Sequence, residues 1–283
     1  MSNEKKSRLR RHMNNRKRLI LTVILILVLL TAIVLYGERI PAASYAENFL
    51  NKKQAPSWEH PFGTDAVGRD MLFRSLKGLS TSVRIGLSSA LVSAVLALAL
   101  GLAAALLGGF VDSAITWLVD LCMSVPHLVL MLMISLLIGK GANGVALAVA
   151  LTHWPSITRI VRAEVKQIST ATFVQTARKL GQSRFKIAAF HIFPHVFPQF
   201  IVGLVLMFPH AIMHEASITF LGFGLSMDSP AIGVILSESM KYLTVGLWWL
   251  AVLPGAMLIA VVMLFNLLGK NIEVLLNPYT GQK

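Results

Sequence analysis

His210 and His214 stand four residues apart in an otherwise apolar run. On a helix that spacing puts both imidazoles on one face. Two imidazoles on one face can meet a single cation, and imidazole suits nickel, copper and zinc better than it suits hard ions. His153 sits in a second apolar run, in Thr152-His153-Trp154-Pro155-Ser156, and Asp120 and His127 lie in a third. Glu215 follows His214 directly but points about 100° away from it, so the two need not act together. Ionisable groups inside apolar spans are costly and are functional candidates by default. His210, His214, His153 and Glu215 are therefore the candidate contacts along a path through the membrane. A neutral histidine bonded to a backbone carbonyl of a neighbouring helix would leave the same signature. Two weak ligands permit passage, whereas a closed four-ligand site would trap an ion, so no resident metal site is specified.

Other chemistry is missing. No G-x-x-x-x-G-K-[ST] is present to cradle a nucleotide triphosphate. His214-Glu215 begins an H-E-x-x-H pattern, but position 218 is Ile. No serine, histidine and acid suggest a triad, and the single cysteine, Cys122, supports neither a disulfide framework nor a zinc site. The chain is expected to be no enzyme and to bind no cofactor itself. Uphill movement of a solute would draw on a partner or on an ion gradient.

The elements that must position these residues are membrane helices. Hydrophobic residues make up 55% of the chain and charged residues 14%, against about a quarter charged in soluble domains. The fold class is an all-α integral membrane protein of about six transmembrane helices with both termini cytoplasmic. A basic tail, 1–18, precedes a first span, 19–36, which is too long for a signal-peptide core and reads as an uncleaved anchor. An extracytoplasmic segment, 37–80, leads to the main transmembrane domain, 81–270. Its spans run over about 83–107, 114–138, 145–161, 194–221 and 247–268, with an outward loop at 222–246. A cytoplasmic tail, 271–283, ends the chain. The net charge of +13 does not point to nucleic acid, because the basic residues flank apolar runs. Of the 26 Lys and Arg residues, seventeen fall on the N-terminal tail, on 159–190 and beyond the last span, after residue 268. That bias places those parts in the cytoplasm, as in a multi-pass protein of a prokaryotic cytoplasmic membrane.

One polar, basic stretch within 164–192 reads as folded. Thr172 and Gln175 form a T-x-x-Q pair able to cap a helix start. Phe173, Ala177 and Leu180 share a helical face. Gly181 is a natural stop, and Ser183 can begin a second short helix before Pro194. Such a compact helix pair is a docking surface.

At these residues the chain resembles the permease subunits of binding-protein-dependent ABC importers, in the dipeptide, oligopeptide and nickel group. Gln175-Thr176-Ala177 with Gly181, followed by Phe193-Pro194, is similar to the family's E-A-A-x-x-x-G loop and later L-P. The segment His60-Pro61-Phe62-Gly63-Thr64-Asp65-Ala66-Val67-Gly68-Arg69-Asp70 is similar to H-P-L-G-T-D-x-x-G-R-D, and Ser217 to Gly224 to S-x-S-F-L-G-L-G. The likeness covers nearly the whole chain. It departs where the loop glutamate is replaced by Gln175, which puts in doubt any salt bridge made there.

The resemblance implies a second homologous permease, two ABC ATPase subunits that hold ATP and Mg, and an extracytoplasmic solute-binding protein, all assembled in the lipid bilayer with no nucleic acid. Phe173, Gln175, Thr176, Ala177, Leu180 and Gly181 would couple to an ATPase. Gly63, Thr64, Asp65, Gly68, Arg69 and Asp70 would form an outward element that seals a gate or receives the binding protein, or a turn closed on itself by an Arg69 ion pair. The histidines look most like the nickel-importing branch. The expected cargo is nickel or a related metal, free or chelated, with a dipeptide or oligopeptide as the alternative. A gradient-driven transporter would usually show two related halves, which this chain lacks.

Overall fold

The computed structural model describes Ser2–Leu276, with side chains from Arg16 onward. Apart from one isolated bridge, Thr64 to Asp70, the regular structure of the described chain is helical. The helices are α1 (Ser2–Arg39), α2 (Met71–Leu107), α3 (Gly109–Ser124), α4 (His127–Ile138), α5 (Ala142–Ser169), α6 (Thr172–Lys179), α7 (Arg184–Ile187), α8 (Phe193–Phe220), α9 (Ile232–Leu243) and α10 (Trp249–Leu276). At a rise of 1.5 Å per residue, α2, α5, α8 and α10 are each long enough to cross the roughly 30 Å of a bilayer core. The apolar part of α1 is also long enough and packs at the edge of the bundle, mostly unburied.

The third expected span, 114–138, is broken. α3 and α4 meet at 97°. Pro126 is the cause: it disfavours helical backbone at the preceding residue, and Val125 is extended at φ −87°, ψ 136°. The loop expected over 222–246 contains α9, whose face toward α2, α8 and α10 buries Ile232, Val234 and Ile235. The outward segment expected to reach residue 80 gives way to helix at Met71, because Asp70 caps it. Its Oδ1 accepts from the amides of Leu72 at 2.9 Å and Phe73 at 3.2 Å.

α2, α5 and α8 form the centre. Where α2 meets α5 and α8 its buried positions are largely Gly, Ala and Ser, which let backbones approach closely without a hydrophobic driving force between helices. A Cβ on Gly86 would lie 2.6 Å from Ile212 Cγ1 of α8. One on Gly101 would lie 2.7 Å from Val161 Cγ1 of α5. Two clusters flank this seam: one joins α2, α5 and α8 to α3 and α4, the other joins α2 and α8 to α1, α9 and α10. A cavity opens between α4, α5 and α8.

Candidate functional site

Three helices deliver the histidines to that cavity. The bend at Pro126 makes His127 the first residue of α4 and aims it inward. His153 sits near the middle of α5, and His210 and His214 project from α8. His127, His153, His210 and His214 line one cavity of about 410 Å³, together with Ile157, Gly203 and Met207. The rings of His127, His153 and His214 converge: their centroids are 4.6 Å apart for His127 and His153, 4.8 Å for His127 and His214, and 5.2 Å for His153 and His214. One nitrogen from each lies within 4.8 Å of the other two. His210 borders the same space outside this triad.

The sequence pattern singles out the pair within one helix, and the structure adds two partners from other helices. Spacing along a chain carries no signal for such a meeting. Pro126, next to His127, is the one local hint, since a proline that breaks a span redirects the helix after it.

Glu215 lies elsewhere. It is fully buried on the α2 side of α8, beside Ser82, and accepts from Thr219 Oγ1 at 3.0 Å. It does not line the histidine cavity. Asp120 pairs with Arg159 of α5. Nearby, Asp112 accepts from Arg162 Nη2 at 2.9 Å and Lys166 Nζ at 2.7 Å, so two ion-pair groups tie α3 to α5.

At the end of the bundle below α5, the helix pair α6–α7 follows Ser169 within a few residues. Ala171, not Thr172, occupies the cap position of α6, and the T-x-x-Q box does not form. The Gln175 side-chain amide instead donates to the Ser169 carbonyl at 3.2 Å, an acceptor left open by the end of α5. Thr176 Oγ1 donates to the Thr172 carbonyl. The expected face of Phe173, Ala177 and Leu180 is divided. Val174 and Ala177 are buried against the bundle, Phe173 stacks on His195 at 5.2 Å, and Leu180 is 75% exposed. Gly181, at φ +76°, closes α6 in a Schellman turn: its amide bonds the Arg178 carbonyl and the Gln182 amide bonds the Ala177 carbonyl. Ser183 caps α7 by accepting from the Lys186 amide. Leu180, Phe185 (83% exposed) and Phe190 (70%) give this end an apolar surface flanked by Arg178, Lys179, Arg184 and Lys186.

At the opposite end, the residues from Gly63 to Asp70 fold onto themselves. Asp65 Oδ1 accepts from the amides of Val67 and Arg69, and Arg69 Nε meets Asp65 Oδ2 at 2.7 Å. Buried Arg74 bridges Asp65 at 3.3 Å to Glu238 of α9 at 2.6 Å. Thr64 Oγ1 accepts from the Gln54 amide, and His60 Nδ1 lies 2.7 Å from Asp70 Oδ2. Gly63 and Gly68 both have positive φ, and a Cβ on Gly68 would fall 1.7 Å from the Asn48 carbonyl oxygen. The Ser217 to Gly224 stretch ends α8 in a second Schellman turn at Gly222. It is pinned to α4 and α5 by Ser135 Oγ donating to the Phe223 carbonyl and Gly141 N to the Gly224 carbonyl.

Residues 97–280 match the family of binding-protein-dependent transport system inner membrane components. The chain belongs to this family. It is 33% identical over 271 residues to a putative peptide transport system permease protein of Brucella abortus, covering 96% of this chain and 90% of that protein. It is 32% identical over 228 residues to a probable D,D-dipeptide transport system permease of Escherichia coli K12, covering 81% and 76%. It is 27% identical over 264 residues to a dipeptide transport system permease of Bacillus subtilis, covering 93% and 82%. The structure of the MetNI methionine ABC transporter in inward-facing conformations matches with a TM-score of 0.61 at 16% identity, over 73% of this chain and 98% of that one, a likeness of fold. Membership makes this permease a multi-pass inner-membrane component of an ABC importer and not a catalytic subunit.

Proposed function

We propose that this permease forms the translocation path for short peptides, with its termini and α6–α7 on the cytoplasmic side. The observation that carries the cargo reading is that the relatives covering nearly the whole chain are named as peptide and dipeptide permeases. A cavity of about 410 Å³ is within the range of small-molecule sites. The nickel cargo that the histidines suggest in the sequence draws no support from those names. It survives as a second reading, with a free or chelated ion as cargo, on one observation: three imidazoles converge in the cavity.

In the assembled importer, a second related permease would complete the path, and two ATPases holding ATP and Mg would supply the motive force. An extracytoplasmic binding protein would deliver cargo near the Gly63–Asp70 element. The exposed Leu180 and Phe185 would bury in a groove of one ATPase, while the basic residues around them steer the encounter. Gln175 carries no charge and its amide donates to the Ser169 carbonyl, so docking would not rely on an ion pair at that position.

Uptake of a labelled dipeptide and of labelled Ni²⁺ into cells carrying the whole importer tests this. Dipeptide uptake should collapse when the partner ATPase is inactivated and persist when only the proton gradient is removed. Ni²⁺ uptake without dipeptide uptake would favour the second reading, and uptake driven by the gradient alone would overturn both.

A further inference from the structure

We infer that His127, His153 and His214 form a three-coordinate site for one borderline divalent cation, of the Ni²⁺, Co²⁺ and Zn²⁺ class, with a fourth position open to the cavity. The inference deepens the second reading by naming the ligands. It also stands apart from it, because an ion held in a peptide path is a fixture of the path and not its cargo.

Four observations converge. The donor nitrogens already lie within 4.8 Å of one another. Metal–nitrogen bonds of about 2.0–2.1 Å in tetrahedral geometry require ligand atoms roughly 3.4 Å apart. The remaining gap is closed by turning the half-buried rings of His127 and His214. His153 is already oriented: its Nδ1 donates to the Val149 carbonyl at 2.8 Å. That bond fixes the proton on Nδ1 and leaves the Nε2 lone pair free, the arrangement found where a backbone carbonyl supports a metal-binding histidine. His153 Nε2 is buried and has no hydrogen-bond partner. Nor do the rings of His127 and His214 make a hydrogen bond among the described residues. A buried ring nitrogen without a partner, as at His153, is costly, since buried polar groups normally find one, and a cation that accepts the lone pairs of all three rings removes that cost.

The donor set also defines the ion. Three imidazoles and no carboxylate suit a borderline transition metal and exclude calcium and magnesium, which require oxygen. Glu215, the nearest acid in sequence, is turned to the far side of α8. Three neutral ligands leave the ion's two charges uncompensated inside the bundle, so occupancy is reversible and strengthens when an anionic group enters the open position. His210, on the rim, is placed to hand the ion to or from that position.

The test uses the complete importer purified in lipid nanodiscs, with Co²⁺ as the probe. Wild type should bind one equivalent with the intense visible absorption of tetrahedral cobalt, and Zn²⁺ should displace it. His127→Gln, His153→Gln and His214→Gln should each weaken binding by at least about tenfold, the scale on which even the loss of a ligand's supporting contact is felt. His195→Gln, an exposed histidine outside the triad, should leave binding unchanged. Thermal unfolding guards against misfolded variants: Zn²⁺ should raise the melting temperature of wild type and of His195→Gln, and raise it less or not at all in the triad variants. Absence of stoichiometric binding, an octahedral cobalt spectrum, or equal weakening by His195→Gln would overturn the site. None of these results bears on dipeptide uptake, so the two claims fail separately.

Discussion

At the scale of single residues, two glycines with positive φ make contrasting demands. Gly181 stands at φ +76° with nothing within 4 Å of a built Cβ, so a side chain there costs only backbone strain, on the order of 1 kcal/mol. Gly68 stands at φ +83° with the Asn48 carbonyl oxygen 1.7 Å from that Cβ, so strain and overlap add. Gly68→Ala should therefore lower the melting temperature of the purified importer sharply, at a cost of more than about 3 kcal/mol, while Gly181→Asn should be nearly silent because asparagine tolerates that backbone. Gly181→Val should keep the bundle folded yet reduce ATPase co-purification and uptake, by misdirecting α7. Equal melting losses for Gly68→Ala and Gly181→Asn would contradict this ranking. The Gly181 stop is legible in sequence, because it depends on chemistry within a few residues. The T-x-x-Q pattern misleads because its outcome depends on where α5 ends: the bare Ser169 carbonyl competes for the Gln175 amide and wins.

At the scale of helices, the apolar spans are readable because lipid demands long uncharged runs. Their directions are not. Hydropathy runs unbroken through Val125-Pro126, although the chain turns by 97° there. α9 is hidden from hydropathy because a short helix folded under a loop shows neither a spanning length nor a polar border. The seam of α2 depends on residues that hydropathy treats as bland. Gly101→Leu should lower stability by about 1–3 kcal/mol, the usual penalty of overpacking, since the new side chain starts 2.7 Å from Val161 Cγ1 and 3.1 Å from the Thr158 carbonyl oxygen. Gly101→Ala should cost less, and Val161→Ala added to it should recover part of the loss, because the two sites share one contact. Additive losses in this cycle would show that α2 and α5 are not in close contact there.

At the scale of the whole molecule, the helix pair and the histidine triad are mechanically connected. α6 begins three residues after the end of α5, and α5 is continuous to His153. α7 runs through one π-helical turn, Ala188–Ile192, into α8, which carries His214. α3 joins through the Asp112–Arg162–Lys166 and Asp120–Arg159 pairs, and its far end turns at Pro126 into His127. A displacement of α6–α7 by an ATPase therefore reaches all three rings by different routes, and the α3 route passes through these ion pairs. They are partly or largely exposed, and exposed pairs contribute about 0–1 kcal/mol to stability. Replacing both Asp112 and Asp120 by Asn should therefore change the melting temperature little and leave the ATPase bound. It should also reduce uptake per ATP hydrolysed several-fold, because α5 would move without carrying α3 and α4. Unchanged coupling in a stable double variant would mean that α3 and α4 follow the motion through packing at Val119 and Met131, and that the ion pairs serve only to neutralise charge.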